Sequence, residues 1–260
     1  LPSALPGQGS FGVSPAAEAY DPSQDQWSHL LPMLAARIEH TMVTLPGMSP
    51  PDGEVLVIGG RDDSGNFLAS AEIFDGVAWQ GKASLSQQRA GHTATRLQSD
   101  RVLVVGGYDA QPALLGSGWT FLCSAEIYDF TAGGGQGAFV PTGSLAQCRA
   151  NHTETLLANG KVLVTGGESD GVVIGTTEIW SAPGGLWGAG PPMSFARWGH
   201  TATRLSSGVV LITGGNDGVS DLKSAEAFDP VAGTWMTVGP MSEPRSQLAA
   251  VLLGDGRVLV

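Results

Sequence analysis

The stretch Arg89-Ala-Gly-His92-Thr-Ala-Thr95, followed by Val102-Leu-Val-Val-Gly-Gly107 and then by Ala125-Glu-Ile-Tyr-Asp129, recurs along the chain. Each copy contains an arginine, a glycine pair after an apolar run, and a glutamate. The arginine recurs as Arg37, Arg89, Arg149, Arg197 and Arg245, the glycine pair as Gly59-Gly60, Gly106-Gly107, Gly166-Gly167 and Gly214-Gly215, and the glutamate as Glu18, Glu72, Glu126, Glu178 and Glu226. The copies lie about fifty residues apart, which indicates a repeat protein.

Each repeat divides into four short apolar or alternating segments separated by turn residues, the pattern of four antiparallel strands. In the repeat that starts at Arg197, the pattern predicts strands a to d at residues 200–205, 209–213, 224–229 and 234–238. The turn sequences Ser206-Ser-Gly208 and Asp229-Pro-Val-Ala-Gly233 join a to b and c to d. The sequence therefore predicts an all-β fold in which each repeat is one blade of a propeller.

These residues resemble the kelch motif: a glycine pair after an apolar strand, a Glu-x-aromatic-Asp strand, then a tryptophan before the next arginine. The tryptophan recurs as Trp27, Trp79, Trp187 and Trp235, with Phe139 in the remaining repeat. The resemblance covers nearly the whole chain, and the His-Thr-Ala-Thr segment resembles bacterial kelch proteins and galactose-oxidase-like central domains in particular. It implies a kelch-type β-propeller of four-stranded antiparallel blades.

The predicted domain is a single propeller over residues 1–260, with repeats that start near Arg37, Arg89, Arg149 and Arg197. Residues 1–34 and 245–260 form either a composite blade or two incomplete ones. The composite blade predicts five blades closed two-plus-two and a monomer. The alternative is part of a six- or seven-bladed propeller, whose unpaired strand edges would associate.

Charge narrows the choice of partner. The chain has 13 basic and 24 acidic residues and a net charge of −11, so removing the five recurrent arginines and five recurrent glutamates leaves 8 against 19. Such a surface argues against nucleic acid and favours basic peptides, cations or neutral sugars. No apolar run approaches the roughly 20 residues of a membrane helix, so we expect no membrane insertion.

Residues present in every repeat are expected to be structural, because one packing problem recurs in each copy. We expect the recurrent arginine and glutamate to form a buried or half-buried ion pair. Four of the five histidines share one repeat position, which Leu248 fills in the last copy, so this position is a packing site. These histidines are His40, His92, His152 and His200.

Function is expected where the repeats differ, above all in the connections between strands b and c. The connection from Gly107 to Glu126 is about eight residues longer than its counterparts. Its apolar side chains predict either an aromatic contact patch or a cover over the outer strands. These side chains are Tyr108, Leu114, Leu115, Trp119 and Phe121.

The b–c and d–a loops emerge on the same face of a blade, which is therefore the candidate binding surface. Its b–c candidates are Arg61, Asp62, Asp63, Asn66, Glu168, Asp170, Asn216, Asp217, Asp221 and Lys223, and its d–a candidates are Glu39, Asn151, Trp198 and Gln247. Aspartate or asparagine after the glycine pair also fits simple turn chemistry. Trp198 differs most from its counterparts, Ile38, Ala90, Ala150 and Ser246.

The two cysteines, Cys123 and Cys148, are predicted to lie at one end of the same blade, where a disulfide is geometrically plausible. The alternative is two partly buried thiols. A disulfide favours a periplasmic or extracellular location. The chain starts at Leu1 without a recognisable signal peptide.

Three classes of function remain. The first, which we favour, is a non-catalytic module that binds a protein or a glycan. The second is an enzyme, since the resemblance extends to copper radical oxidases and to enzymes acting on sialic acids; the third is a structural spacer or docking domain. An oxidase needs a cysteine-linked tyrosine, a second tyrosine and two histidines, and only Tyr108 and His29 lie outside repeat positions, so no metal or cofactor is expected.

Overall fold

The structure is a computed structural model that describes residues 12–45, 53–99, 101–110 and 119–260. Across these residues the protein is all-β, with one short 3-10 segment, Gly133–Gly135. Within the same residues, no helix is long and apolar enough to cross a membrane.

The strands are numbered in chain order. They are β1 Glu18–Asp21, β2 Gln26–His29, β3 Thr41–Leu45, β4 Glu54–Ile58, β5 Ala71–Phe74, β6 Trp79–Lys82, β7 Thr93–Arg96, β8 Val102–Val105, β9 Tyr108–Ala110, β10 Trp119–Phe121, β11 Ala125–Asp129, β12 Ala138–Pro141, β13 Thr153–Leu156, β14 Val162–Thr165, β15 Glu168–Ser169, β16 Val172–Val173, β17 Thr177–Ser181, β18 Leu186–Gly190, β19 Thr201–Arg204, β20 Val210–Thr213, β21 Ala225–Asp229, β22 Thr234–Val238, β23 Val251–Leu252 and β24 Val258–Leu259.

Among the described residues, four sheets have four strands each, in the order a-b-c-d of the repeat. They are β3-β4-β5-β6, β7-β8-β11-β12, β13-β14-β17-β18 and β19-β20-β21-β22. In the last of these, every strand begins and ends within one residue of its predicted bounds, and all three pairings are antiparallel. Two-stranded sheets form from β1 with β2, β9 with β10, β15 with β16, and β23 with β24.

The chain divides into two compact units. The first comprises Leu1–Leu103, Tyr108–Thr120 and Glu126–Pro141, and the second comprises Val104–Gly107, Phe121–Ala125 and Thr142–Val260. The predicted composite blade stays a prediction.

In the second unit, the core lies between neighbouring four-stranded sheets. Leu157 and Leu163 of one sheet pack with Val210, Ile212 and Phe228 of the next. Val210 and Ile212 lie two residues apart on β20 and therefore point to the same face of their sheet. Trp235 on β22 packs at the edge of this core, and its indole Nε1 donates to the carbonyl of Pro191 at 2.8 Å.

The glycine pair positions the loops of the following repeat. Gly214 and Gly215 have φ angles of 65° and 95°, which side chains rarely adopt, and the amide of Gly215 donates to the carbonyl of Arg245 at 2.8 Å. The same 2.8 Å bond joins Gly60 to Arg89, Gly107 to Arg149 and Gly167 to Arg197. Each d–a loop is thereby fixed on the b strand end of the preceding repeat.

Candidate functional site

The arginine and glutamate of four repeats form buried ion pairs. The Nη2–Oε1 distances are 2.5 Å for Arg37–Glu72, 3.1 Å for Arg89–Glu126, 3.0 Å for Arg149–Glu178 and 3.0 Å for Arg197–Glu226. Burial lowers the pKa of Arg89, Arg149 and Arg197, and the facing carboxylate offsets part of this effect. Arg245 and Glu18 differ from these pairs, because both are exposed and Glu18 contacts Nδ1 of His29 at 2.9 Å.

Each buried glutamate also holds the d–a loop of its repeat. The carboxylate of Glu226 accepts from the amide of Ser194 at 2.7 Å and from that of Phe195 at 3.2 Å. Glu178 accepts in the same way from Ala146 and Gln147. Because these carboxylates are occupied by the framework, they are not candidates for acid–base catalysis.

The recurrent histidines link neighbouring repeats. Nε2 of His92 lies 2.9 Å from the hydroxyl of Thr41, and Nε2 of His200 lies 2.9 Å from that of Thr153. Burial lowers the pKa of both imidazoles to about 3, with the positive charge of Arg89 or Arg197 as the next cause. Leu248 occupies the equivalent place beside Gly214, as predicted for a packing position.

The d–a and b–c loops contact each other in four repeats, so they share one face of the blade as predicted. Isolated antiparallel bridges join Ile38 to Arg61, Ala90 to Tyr108, Ala150 to Glu168 and Trp198 to Asn216. The bridged d–a and b–c loops thus form the same backbone frame in all four repeats. The side chains that this frame carries differ from repeat to repeat.

In the first compact unit, this frame carries an aromatic–arginine cluster, defined as Glu39, Arg61, Phe67, Tyr108 and Trp119. The carboxylate of Glu39 binds Arg61 through two hydrogen bonds, at 2.9 Å from Nε and 2.6 Å from Nη2, and accepts a short bond from the Tyr108 hydroxyl. Tyr108 and Trp119 are stacked with centroids 4.2 Å apart, and the Phe67 ring meets Tyr108 edge-on at 5.7 Å.

The arginine of the cluster lies close to all three rings. The Arg61 guanidinium carbon is 5.1 Å from the Trp119 centroid, 5.8 Å from that of Phe67 and 5.9 Å from that of Tyr108. Desolvation lowers the pKa of Arg61, but the hydrogen bond to Glu39 and the neighbouring acidic groups outweigh it, and the net pKa is raised. The Arg61 guanidinium therefore stays charged.

The backbone of Glu39 is unusual. Its φ of 55° lies in the left-handed region, where glutamate is disfavoured. The equivalent positions of the repeat are also left-handed, and two of them are glycine, at Gly91 and Gly199. Asn151 and Gln247 adopt the same conformation at this repeat position, and in Glu39 it accompanies a carboxylate bound to both Arg61 and Tyr108.

Exposure separates the supporting members of the cluster from the accessible ones. Tyr108 and Phe67 are buried, whereas Trp119 is 39% exposed and the side chains of Arg61 and Glu39 are 21% and 37% exposed. The sequence pointed to Glu39, Arg61, Tyr108 and Trp119 separately, but it missed Phe67. The signal for Phe67 was an aromatic residue directly after the turn residues Ser64-Gly-Asn66.

Two of the other candidates are turn residues. Asp62 and Asp217 close their own turns, where Asp62 accepts from the amides of Ser64 and Asn66 and Asp217 from those of Val219 and Ser220. The side-chain amide of Asn66 and then these backbone amides lower the pKa of Asp62, and the backbone amides of Ser220 and Val219 lower the pKa of Asp217. Turn chemistry therefore accounts for the aspartate at both positions.

The candidates in the second compact unit are also tied to their own loops. Asn216 donates to Asp221 at 2.8 Å, and Asn151 donates to Glu168 at 3.4 Å. Trp198 and Phe121 are half-buried, and Gln247 is exposed. Leu114 and Leu115 lie outside the described residues.

Cys123 and Cys148 form a disulfide. It joins the segment after β10 to the d–a loop before Arg149, so the enlarged b–c connection is covalently fixed where it re-enters the blade. Both residues of the pair lie in the second compact unit. Among the described residues, no group of three histidine, cysteine, aspartate or glutamate side chains could hold a metal ion.

Four-stranded sheets, repeated glycine-pair cradles and buried Arg–Glu pairs define the blades of a β-propeller. Residues 199–242 match the family model of the kelch motif, and this match covers strands β19 to β22. The other three four-stranded sheets repeat the same strand order and ion pair. Residues 199–242 thus carry a kelch motif, and the described four-stranded sheets are consistent with blades of a kelch β-propeller, a class of domain that generally mediates protein interactions. A search of the curated proteins finds no match to the chain.

Proposed function

We propose that this protein is a non-catalytic binding module that recognises a protein partner through the aromatic–arginine cluster of the first compact unit. The observation that carries the proposal is Glu39, whose left-handed backbone places one carboxylate on both Arg61 and Tyr108. Asn151 and Gln247 adopt the same left-handed backbone at the same repeat position, so the carboxylate of Glu39 and its two partners are what distinguish this loop.

The cluster has the composition of a binding hot spot. Tryptophan, tyrosine and arginine are enriched in such sites, and tyrosine and tryptophan offer large contact areas at a low cost in conformational entropy. Trp119 supplies the accessible surface, and Tyr108, Phe67 and Arg61 hold its ring in place. Because these contacts order the site before binding, less conformational entropy is lost when the partner binds.

The test is a selection of random peptides displayed on phage against the immobilised protein, followed by affinity measurements on the selected peptides. Trp119→Ala is expected to weaken them at least tenfold. Glu39→Gly tolerates the left-handed backbone but removes the carboxylate, so it is expected to weaken them as well. Trp27→Ala is the matched control, because Trp27 is 68% exposed but lies on β2.

Failure to select any peptide, or peptides that bind wild type and Trp119→Ala equally, would show that the proposal is wrong. A glycan array gives the second arm, because sugar rings also stack on exposed indoles. Glycan binding that Trp119→Ala abolishes, with no peptide selected, would replace the protein partner by a carbohydrate.

The disulfide supports a periplasmic or extracellular location for this module. Such bonds persist in oxidising compartments and are rare where thiols are kept reduced. Mass spectrometry of protein from its native source, under non-reducing conditions, tests this part, and two free thiols at Cys123 and Cys148 would contradict it.

A further inference from the structure

Trp119 has one ring face that the rest of the aromatic–arginine cluster leaves open. The Tyr108 ring covers the other face, since the two rings are stacked 16° from parallel with their centroids 4.2 Å apart. Phe67 meets both rings edge-on, with centroid distances of 5.7 Å to Tyr108 and 6.4 Å to Trp119. Phe67 therefore lies beside the stacked pair.

Arg61 also lies beside the stack. Its guanidinium carbon is 5.1 Å from the Trp119 centroid and 5.9 Å from the Tyr108 centroid. A guanidinium on the outer face of Trp119 would be much farther from Tyr108 than from Trp119, because the whole indole would separate them. Among the described residues, no aromatic ring or cation therefore covers that outer face, and Trp119 is 39% exposed.

A second accessible apolar side chain adjoins the arginine of the cluster. Isolated antiparallel bridges pair Ile38 with Arg61 and Arg61 with Phe67. Residues that lie directly opposite each other in antiparallel strands point to the same face. Ile38, which is 43% exposed, therefore lies next to Arg61 on the face that carries the cluster.

The two loops that carry Ile38 and Arg61 are negatively charged. Residues 38–39 and 61–67 contain one arginine and the carboxylates of Glu39, Asp62 and Asp63. Hydrogen bonds from Asn66 lower the pKa of Asp62, so this group is ionised at neutral pH. Since Glu39 already compensates the charge of Arg61, the charge that remains on these loops is negative.

Glu39 also has room for a further hydrogen-bond donor. Its Oε2 accepts from Nε of Arg61 and from the Tyr108 hydroxyl, whereas Oε1 accepts from Nη2 of Arg61 alone among the described residues. A carboxylate oxygen has two acceptor sites, and the Glu39 side chain is 37% exposed. An N–H donor of a partner therefore meets an accessible acceptor within the cluster.

We propose that the cluster binds an arginine side chain of its partner on the outer face of Trp119, while a neighbouring apolar residue of the partner packs on Ile38, an inference that rests on the binding function proposed above. A planar guanidinium stacks on aromatic faces, and indole attracts cations more strongly than the other aromatic side chains do. The carboxylates of the two loops favour the same charge. Lysine fits less well, because its ammonium is compact and strongly hydrated.

The test uses displayed peptide libraries that fix the central position as arginine, lysine, glutamine or glutamate and randomise the others. The arginine library is expected to enrich most. Replacing the central arginine of the selected peptides by citrulline keeps the shape and removes the charge, so about a tenfold loss of affinity is expected. Binding of the arginine peptides should also weaken as salt is raised.

Two substitutions in the protein distinguish a stacked cation from other partners. Trp119→Leu keeps an apolar side chain but removes the aromatic face, so it is expected to weaken the arginine peptides about tenfold. Glu39→Gln leaves the charge of Arg61 uncompensated beside Trp119. Arginine peptides should then bind more weakly, and glutamate peptides more tightly.

Ile38→Thr tests the apolar contact, because threonine keeps the branched shape and removes apolar surface. It is expected to weaken the same peptides by a smaller factor than Trp119→Leu does. The matched controls are Trp27→Leu and Val231→Thr, since Trp27 is 68% exposed on β2 and Val231 is 96% exposed on a c–d turn. Unchanged affinity is expected for both controls, and thermal melts of all variants exclude unfolding as the cause.

The arginine proposal is overturned if citrulline peptides bind as tightly as arginine peptides, if Trp119→Leu leaves affinity unchanged, or if the glutamate library enriches most. In each of these cases, selected peptides that lose affinity on Trp119→Ala still support the protein-binding module, so the two proposals fail separately. If no library yields a peptide, both proposals are wrong.

Discussion

Nη2 of Arg197 lies 3.0 Å from Oε1 of Glu226, and neither side chain is accessible to solvent. The same guanidinium donates to the carbonyls of Gly214 and Ser224, at 2.6 Å and 3.1 Å. One buried pair thus joins the d–a loop, the glycine pair and strand β21 of a single blade. Its loss would leave one charge buried without its partner.

Glu226→Gln is therefore expected to lower the free energy of unfolding by about 3–5 kcal/mol. Denaturant titration followed by tryptophan fluorescence measures the change. Asp255→Asn is the control, because Asp255 pairs with Arg257 at 2.7 Å on the exposed surface and should change stability little. Equal effects of the two substitutions would contradict a structural role for the buried pair.

Gly214 and Gly233 should respond differently to substitution by alanine, because they have similar backbone angles but different amounts of free space. Gly214 and Gly233 have φ angles of 65° and 68°, but a Cβ added at Gly214 would lie 2.5 Å from the carbonyl oxygen of Arg245, and one at Gly233 would meet nothing within 4 Å. Gly233→Ala is expected to cost about 1–2 kcal/mol from the left-handed backbone alone. Gly214→Ala should cost about 1–3 kcal/mol more.

The same denaturant titration tests this difference. If the two alanine variants proved equally stable, the close approach of the Arg245 carbonyl to the glycine pair would not be what demands glycine at position 214.

Acid should destabilise the protein through its buried histidines. The folded chain holds the pKa of His200 at about 3, against an ordinary value of 6.5. Below pH 6.5 the unfolded chain binds a proton that the folded chain does not, so this contribution is fully present above pH 6.5 and is lost as the pH falls towards 3. Each such histidine adds a slope of about 1.4 kcal/mol per pH unit.

His200→Leu, which copies Leu248 of the last repeat, should make the unfolding free energy less dependent on pH. The expected decrease in slope between pH 6 and pH 4.5 is about 1.4 kcal/mol per pH unit. Unfolding titrations at several pH values measure it. An unchanged slope would mean that His200 is protonated in the folded state.

Reduction should also destabilise the protein. Cys123 and Cys148 are 25 residues apart in sequence, and a cross-link over this distance stabilises a fold by about 3 kcal/mol. Cys148→Ser is expected to lose this stability and to become insensitive to reductant. Thermal melts with and without dithiothreitol test both points, and a wild-type melt that reductant does not change would contradict the bond.

Much of the fold could be predicted from the sequence, because the same pattern of strands and turns recurs in several repeats. Strands β19 to β22 lie within one residue of their predicted bounds, since alternating side chains and turn residues act locally. The pairing of Arg197 with Glu226 could also be predicted. An arginine and a glutamate recur in each repeat, and a buried charge is destabilising unless it is paired. Phe67 could not, since its partners are distant in sequence.

The sequence by itself determined the four-stranded repeat, the recurrent ion pair and the face on which the unlike loops emerge, because each follows from local pattern and from repetition. Only the tertiary structure decided which loop residues meet. It brought Glu39, Arg61, Phe67, Tyr108 and Trp119 into one cluster, and it left Asp62 to close its own turn. The physical reason is that contacts between loops depend on where the blade places each loop backbone. The repeat pattern of the sequence does not predict that placement.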